Sequence, residues 1–287
     1  MTVRRPLVRV SGRVRQLPTG DTLPGVRELL TAARNYYVRT DGSDSNTGLA
    51  NSAGSAFLTI QKAVDTAAAF DNNNFDITIM VGSGTYAAGF VLREHVGGGT
   101  IHVRGVNADQ TSTVISVTNG SCIQGTETRF SKYKASYLKL QTTGSSGYPI
   151  LLEGGKNYLT IDQINFGAAG RTHIYVASGS LLNARAATYT ISGAVDSGWH
   201  VECVDQATFL GLLCNVTLTG TPSFGSGGYA RAARNSLAQF HASTFTGSAT
   251  GQRYSTDTGS GIFVNGAGAS YLPGSTAGSA TTPGWYA

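Results

Sequence analysis

Between Ile77 and Leu218 short apolar runs alternate with polar residues and are separated by Gly, Asn or Ser. That pattern predicts strands at Ile77–Val81, Phe90–Leu92, Ile101–Arg104, Val114–Val117, Tyr137–Leu140, Ile150–Leu152, Leu159–Phe166, Ile174–Val176, Tyr189–Ile191, Trp199–Cys203, Phe209–Leu212 and Val216–Leu218. A word of alternating apolar and polar residues closed by Gly recurs at Thr100–Gly105, Tyr189–Gly193 and Val216–Gly220, without a strict period. Short β-turn-β units with little helix point to a solenoid whose coils stack inward Val, Ile and Leu. A β-sandwich is the structural rival.

The spacing changes upstream. Ile60, Ala63, Val64 and Ala67 recur at helical intervals after Thr59, which predicts an amphipathic helix over 59–70 with a threonine cap. At the amino end, Val8, Val10 and Val14 alternate with Arg9, Arg13 and Arg15 around Ser11-Gly12, which reads as a hairpin with one apolar and one cationic face. A turn-rich linker over 17–25 and a short helical piece from Val26 to Arg34 are expected next. Residues 247–287, rich in Gly, Ser, Thr and Ala, lack the apolar content to fold alone. Tyr271, Trp285 and Tyr286 are candidate anchors there, against neighbouring chains. The expected organisation is a basic arm (1–35), a β-solenoid with its helix (36–246) and a carboxy-terminal segment (247–287).

Charge sharpens this division. The net charge is +5, yet residues 1–39 hold eight Arg against Asp21 and Glu28, while the remaining thirteen basic residues face fourteen acidic ones. The basic character therefore belongs to the arm, and it gives no reason to read the body as a nucleic-acid binder. The arm has no aromatic before Tyr36 to stack bases, and Pro6, Pro18 and Pro24 interrupt any basic helix. Cys122, Cys203 and Cys214 fit neither a disulfide framework nor a metal-ligand spacing and are expected to be reduced core thiols. No apolar run reaches membrane-spanning length and no secretory h-region follows the first residues, so synthesis in a bacterial cytosol without membrane insertion is expected.

Two resemblances add to these readings. The stretch Tyr37-Val-Arg-Thr-Asp-Gly-Ser-Asp-Ser-Asn-Thr-Gly48, followed by Ala56-Phe-Leu-Thr-Ile-Gln-Lys-Ala-Val64, resembles the entrance of pectin-lyase-like right-handed parallel β-helix proteins. Ala56 stands where that entrance usually has Pro. The match spans about 30 residues and implies an all-β parallel β-helix with a short capping helix. Both chain ends, LVRVSGRVRQLPTGDTLPG over 7–25 and FTGSATGQRYSTDTGSGIFVNGAGASYLPGSTAGSATTPGWYA over 245–287, are similar to segments of phage tail-fibre or minor tail proteins. Together the resemblances imply a virion-attached β-helix of the tail-spike or head-spike kind, commonly a homotrimer.

Many proteins of that fold cleave polysaccharides, which requires two suitably separated carboxylates. Asp109, Glu127, Glu153 and Asp162 form no hydrolase motif; Asp196, Glu202 and Asp205 near His200 and Trp199 form the best constellation, with Trp199 as a glycan-facing aromatic. Solvated turn carboxylates and a coil-lining Trp explain the same letters. A lyase would draw on His173, Arg171 or Arg185. The five histidines lack zinc spacing, and Asp41–Gly48 reads as an Asx-rich turn capping the first coil in preference to a calcium loop, so no cofactor or metal is expected.

The expected function is a structural virion protein of the tail spike or fibre type that binds a host-surface glycan or protein. Its arm, through Val8, Arg9, Val10, Arg13, Val14 and Arg15, would dock on other virion proteins. A polysaccharide depolymerase and a capsid decoration protein are the alternatives.

Overall fold

Parallel register carries single columns of residues from coil to coil: Leu159 lies beside Leu182, Leu182 beside Phe209, Phe209 beside Ala238, and Ala238 beside Ile262. The computed structural model, which describes residues 7–16, 27–126 and 131–287, is a parallel β-solenoid of about eight turns. A coil has three strands, and three walls result. Wall 1 runs from Arg34–Val38 through Ile77–Val81 and Ile101–Gly105 to Gly261–Phe263 and Trp285–Tyr286. Wall 2 includes Gly84–Tyr86, Thr113–Thr118, Thr188–Ile191, Asn215–Leu218 and Thr244–Thr246. Wall 3 stacks Phe90–Val91, Ser121–Thr126, Tyr148–Glu153, Ile174–Val176, Val201–Cys203, Ser223–Ala232, Thr250–Thr256 and Ser279–Ala280.

Walls 1 and 2 are joined by long strands that bend. Lys132–Thr143 pairs through Tyr133–Ser136 with wall 1 and through Lys139–Thr143 with wall 2. Tyr137 sits at the bend with φ 56°, and Gln163, at φ 52°, occupies the same place in Tyr158–Phe166. A single left-handed residue turns the strand while its neighbours stay extended. The passage from wall 3 back to wall 1 uses two such residues in succession. Ser178, Asp205, Arg234 and Thr258 stack there with φ between 48° and 56°, each followed by another left-handed residue. Non-glycine residues adopt this conformation at a cost of about 1–2 kcal/mol, which the coil above and below must offset.

The alternation seen in the sequence becomes the core. Ile123, Ile150, Ile174 and Val201 form an inward column on wall 3, and Ile164, Tyr189, Val216 and Phe245 form one on wall 2. The helix spans Ile60–Ala68 and buries Ile60, Ala63, Val64, Ala67 and Ala68 against the first strands of the solenoid. Thr59 caps it, and Asp44 accepts from Leu58 N, Thr59 N and Thr59 Oγ1. The Asp41–Gly48 turn thus supports the helix cap through Asp44, where its letters suggested a cap for the first coil.

Three expectations change. The segment before Arg34 is not helical over its described part: Leu29 bridges Asp71, and Leu30 is buried with its N–H donating to Asp71 O at 2.8 Å. The body therefore begins before residue 35. Val26 and the linker over 17–25 lie outside the described residues. In the hairpin Leu7–Val10 and Arg13–Gln16, Val8 pairs with Arg15 and Arg9 with Val14, while the Val10 backbone pairs with that of Arg13. Paired residues share a face, so valine and arginine mix on each side, and the clean division into an apolar and a cationic face does not hold.

The third change is at the carboxy end. Thr250–Thr256 pairs with Ser223–Ala232, and Gly261–Phe263 with Leu237–Gln239, so the coils continue past residue 246. Tyr271 and Leu272 close the end on their own chain: the Tyr271 hydroxyl donates to Phe240 O and accepts from Ser243 N. Tyr286 stacks on Tyr254 at 3.7 Å, and the Trp285 ring covers Gly261, where a side chain would collide with it. Sequence-local apolar content understated this segment because its aromatics pack on coils formed by distant residues.

Candidate functional site on the outer face of wall 3

Strand phase decides which side chains reach solvent. Ile174 and Val176, Val201 and Cys203, and Ala230 and Ala232 are buried, so Tyr175, Glu202 and Arg231 between them face outward. Register places these three on successive coils. Arg231 Nη1 donates to Glu202 Oε1 at 2.8 Å, and Arg231 Nη2 to Asp257 Oδ2 at 3.4 Å. Thr172 Oγ1 donates to Glu202 Oε2 at 3.0 Å while accepting from Trp199 N at 3.2 Å.

Aromatic rings border this network. Tyr148 and Tyr175 lie 5.5 Å apart, and the Arg171 guanidinium stands 5.4 Å over the Tyr148 ring. Burial pushes both phenols upward from their ordinary value. Trp199, half-buried, lies against the backbone at Gly228, where a Cβ would come within 2.6 Å of the ring. Only glycine at that position leaves room for the indole.

The structure separates the residues that the sequence grouped. Glu202 and Trp199 belong to this face. Asp205 is at the corner beyond it, paired with Arg234 at 2.5 and 3.0 Å. Asp196 is exposed in the turn between walls 2 and 3.

His200 lies on the opposite side of the sheet from Glu202, fully buried among Phe166, Tyr189, Phe224 and Tyr229. It meets His173, also fully buried, with the two Nδ1 atoms 3.1 Å apart. His173 Nε2 is 2.7 Å from Gly167 O and must donate to it, so His173 Nδ1 accepts and His200 Nδ1 donates. His200 Nε2 is then left without a partner. Burial holds His173 down to about 4, and His200 is well below its ordinary value through burial and its neighbouring imidazole. His200 has no path to a ligand on the outer face, and a constellation of Asp196, Glu202, Asp205 and His200 is not assembled.

The sequence reading missed Thr172, Tyr148, Tyr175, Arg231 and Asp257. Tyr175 and Glu202 are the middle residues of three-residue strands and Arg231 is next to last in Ser223–Ala232, a signal that becomes usable only when the coil-to-coil register is known. The three cysteines are buried and free; burial raises the Cys122 thiol to about 12 and the Cys214 thiol to about 11, which makes them poor nucleophiles. Among the described residues no group of three His, Cys, Asp or Glu could hold a metal ion.

This face offers the Tyr148 and Tyr175 rings and the exposed Arg171 guanidinium, a combination that can stack on sugar rings and hold their polar substituents. Its carboxylates Glu202 and Asp257 share Arg231. No protein-family model, no curated protein and no solved structure matches the chain.

Proposed function

We propose that the chain is a structural, receptor-binding subunit of a phage or phage-like particle, of the tail spike or fibre kind, and that the outer face of wall 3 holds a host-surface glycan without cleaving it. The observation that carries the glycan reading is the Tyr148–Tyr175 pair beside Arg171, fixed on a rigid sheet next to the Glu202–Arg231 ion pair. Glycoside hydrolysis needs one carboxylic acid and one free carboxylate flanking the bond. Both carboxylate oxygens of Glu202 are engaged, Oε1 by Arg231 and Oε2 by Thr172, so it is poorly placed to reach a glycosidic oxygen. The Arg-bearing hairpin at 7–16 suits attachment to other virion proteins, and the virion is the proposed location.

The test is to pass the full-length protein over a panel of bacterial capsular polysaccharides and lipopolysaccharides, and to assay the bound samples for new reducing ends and unsaturated uronates. Saturable binding with no product is expected. Steady product formation that is lost in Glu202→Gln would make the protein a depolymerase.

A further inference from the structure

The outer face of wall 1 changes character from one end of the solenoid to the other. Tyr133, Leu159, Leu182, Phe209, Ala238 and Ile262 are buried, so the residues on either side of each face outward. Register sorts those outward residues into two files. One runs through Lys132, Tyr158, Leu181, Thr208 and Leu237 and, past Gly261, ends at Trp285. The other runs through Lys134, Thr160, Asn183, Leu210, Gln239 and Phe263.

Cations gather at the amino-terminal end of this strip. Lys132 and Lys156 are exposed and Lys134 is half-buried, as is Arg104 on the coil before, whose guanidinium stands 4.9 Å over the Tyr137 ring. Among the described residues Arg104, Lys132 and Lys134 enter no ion pair, whereas Arg231 and Arg234 on the wall 3 side are both paired. The acids at this end, Asp76 and Asp162, accept the backbone N–H groups of Thr100 and Thr188. His102 adds no charge at neutral pH, because burial, reinforced by Lys134 and Arg104, pushes it down to about 4.

Past Tyr158 the charge stops. The strands Leu181–Asn183, Thr208–Leu210, Leu237–Gln239, Gly261–Phe263 and Trp285–Tyr286 contain no Asp, Glu, Lys or Arg. Leu181, Leu210, Leu237 and Phe263 are half-buried, and Trp285 is 42% exposed. A cavity of about 280 Å³ lies where the two regions meet, with Lys132, Lys156, Tyr158 and Leu181 in its lining.

We propose that wall 1 is the face on which this chain lies against an anionic lipid surface. Two chemistries share one continuous strip, eight rungs or about 34 Å long at ~4.8 Å per rung. Uncommitted ammonium and guanidinium groups attract anionic headgroups across a Debye length. Leucine and phenylalanine standing out of a sheet gain by leaving water, and Tyr and Trp settle at the boundary between headgroups and acyl chains. A glycan or a nucleic acid supplies anions but no apolar layer for Leu181, Leu210 and Leu237. A protein partner of matching chemistry would form a dry, close-packed centre, whereas these apolar side chains are single and interleaved with Thr208 and Gln239, which suits the wet headgroup layer. The gradient also sets the pose: the carboxy-terminal coils with Trp285 sink deepest, and the lysines stay among the headgroups. The contact is peripheral, and it does not depend on what wall 3 binds.

The two tryptophans make that pose readable, since Trp285 belongs to wall 1 and Trp199 to wall 3. Full-length chains carrying Trp199→Phe or Trp285→Phe are mixed with vesicles of phosphatidylcholine, alone or in equal mixture with phosphatidylglycerol, whose brominated acyl chains quench indole fluorescence. Binding is expected only with phosphatidylglycerol present, with Trp285 quenched and Trp199 not. Adding Lys132→Glu and Lys134→Glu to the Trp199→Phe chain should weaken binding at least about tenfold, with unchanged thermal unfolding. If the basic arm alone holds the vesicles, Trp285 stays bright and the charge-reversed chain binds as before, which overturns the proposal. Quenching of Trp199 in place of Trp285 overturns it too, and binding to neither vesicle would return the strip to a protein partner. None of these results bears on glycan binding, which is scored separately.

Discussion

His200 and His173 come from successive coils and share one hydrogen bond between their Nδ1 atoms at 3.1 Å, deep inside the solenoid. Both are neutral in the folded chain, since burial keeps His173 at about 4 and His200 well below its ordinary value. Unfolded, each titrates near about 6.5. Between these values the unfolded chain binds protons that the folded chain does not. Stability is therefore full above about pH 6.5 and declines as pH falls toward 4, by up to about 1.4 kcal/mol per pH unit per histidine. Denaturant titrations from pH 8 to pH 4.5 should show this slope. His200→Phe, which fits the surrounding rings, should lower stability at pH 8 but flatten the slope; an unchanged slope would mean that other groups govern acid sensitivity.

Arg231 holds Glu202, whose side chain is 14% exposed. Arg231→Met removes the cation and leaves the carboxylate with Thr172 alone. A loss of about 1–2 kcal/mol is expected, moderated by the partial exposure of the pair. Adding Glu202→Gln should recover part of it. Chemical denaturation of the two single variants and the double variant measures the coupling, and additive losses would show that the pair contributes nothing of its own.

The amino-terminal border of the body can be placed by truncation. A chain beginning at Arg27 keeps Leu30, whose side chain is 1% exposed. It should unfold at the wild-type denaturant midpoint. A chain beginning at Asn35 loses that side chain and the Leu30–Asp71 hydrogen bond, and should be less stable by about 2–4 kcal/mol. Equal midpoints for the two chains would contradict this packing.

At the other end, a chain stopping at residue 246 exposes the coil that holds Phe240 and Phe245, because Tyr271 packs at 5.3 Å from Phe245 and Leu272 is fully buried. The truncated chain should aggregate or bind a hydrophobic dye where the full chain does not. A soluble, cooperatively unfolding product would make residues 247–287 an independent appendage.

The sequence revealed the parts of the fold that depend on local alternation and capping. Ile77–Val81 and Ile174–Val176 have the bounds that their letters suggest, and Thr59 caps the helix as its position implies. Leu181–Asn183 and Leu237–Gln239 escaped because each has a single inward residue, Leu182 or Ala238, where Ile174–Val176 has two; they exist through pairing with Tyr158–Phe166 and Thr208–Leu210. The candidate site was half legible. Glu202 and Trp199 were found by residue type, but His200 was grouped with them because it lies in the bend just before Val201–Cys203, where both it and Val201 turn inward and strand alternation from Glu202 gives the wrong face. Tyr148 and Tyr175 meet only through coil stacking, which no local window contains.

The central claim is that wall 3 binds a glycan through Arg171 and the Tyr148–Tyr175 pair. It is tested most directly by calorimetric titration of the polysaccharide selected from the panel into wild-type protein, Tyr175→Ala and Arg171→Ala. Loss of a stacking ring or of a charge-assisted hydrogen bond is worth about 1–3 kcal/mol, so both variants should bind at least about fivefold more weakly with unchanged thermal unfolding. Wild-type affinity in both variants would contradict the account.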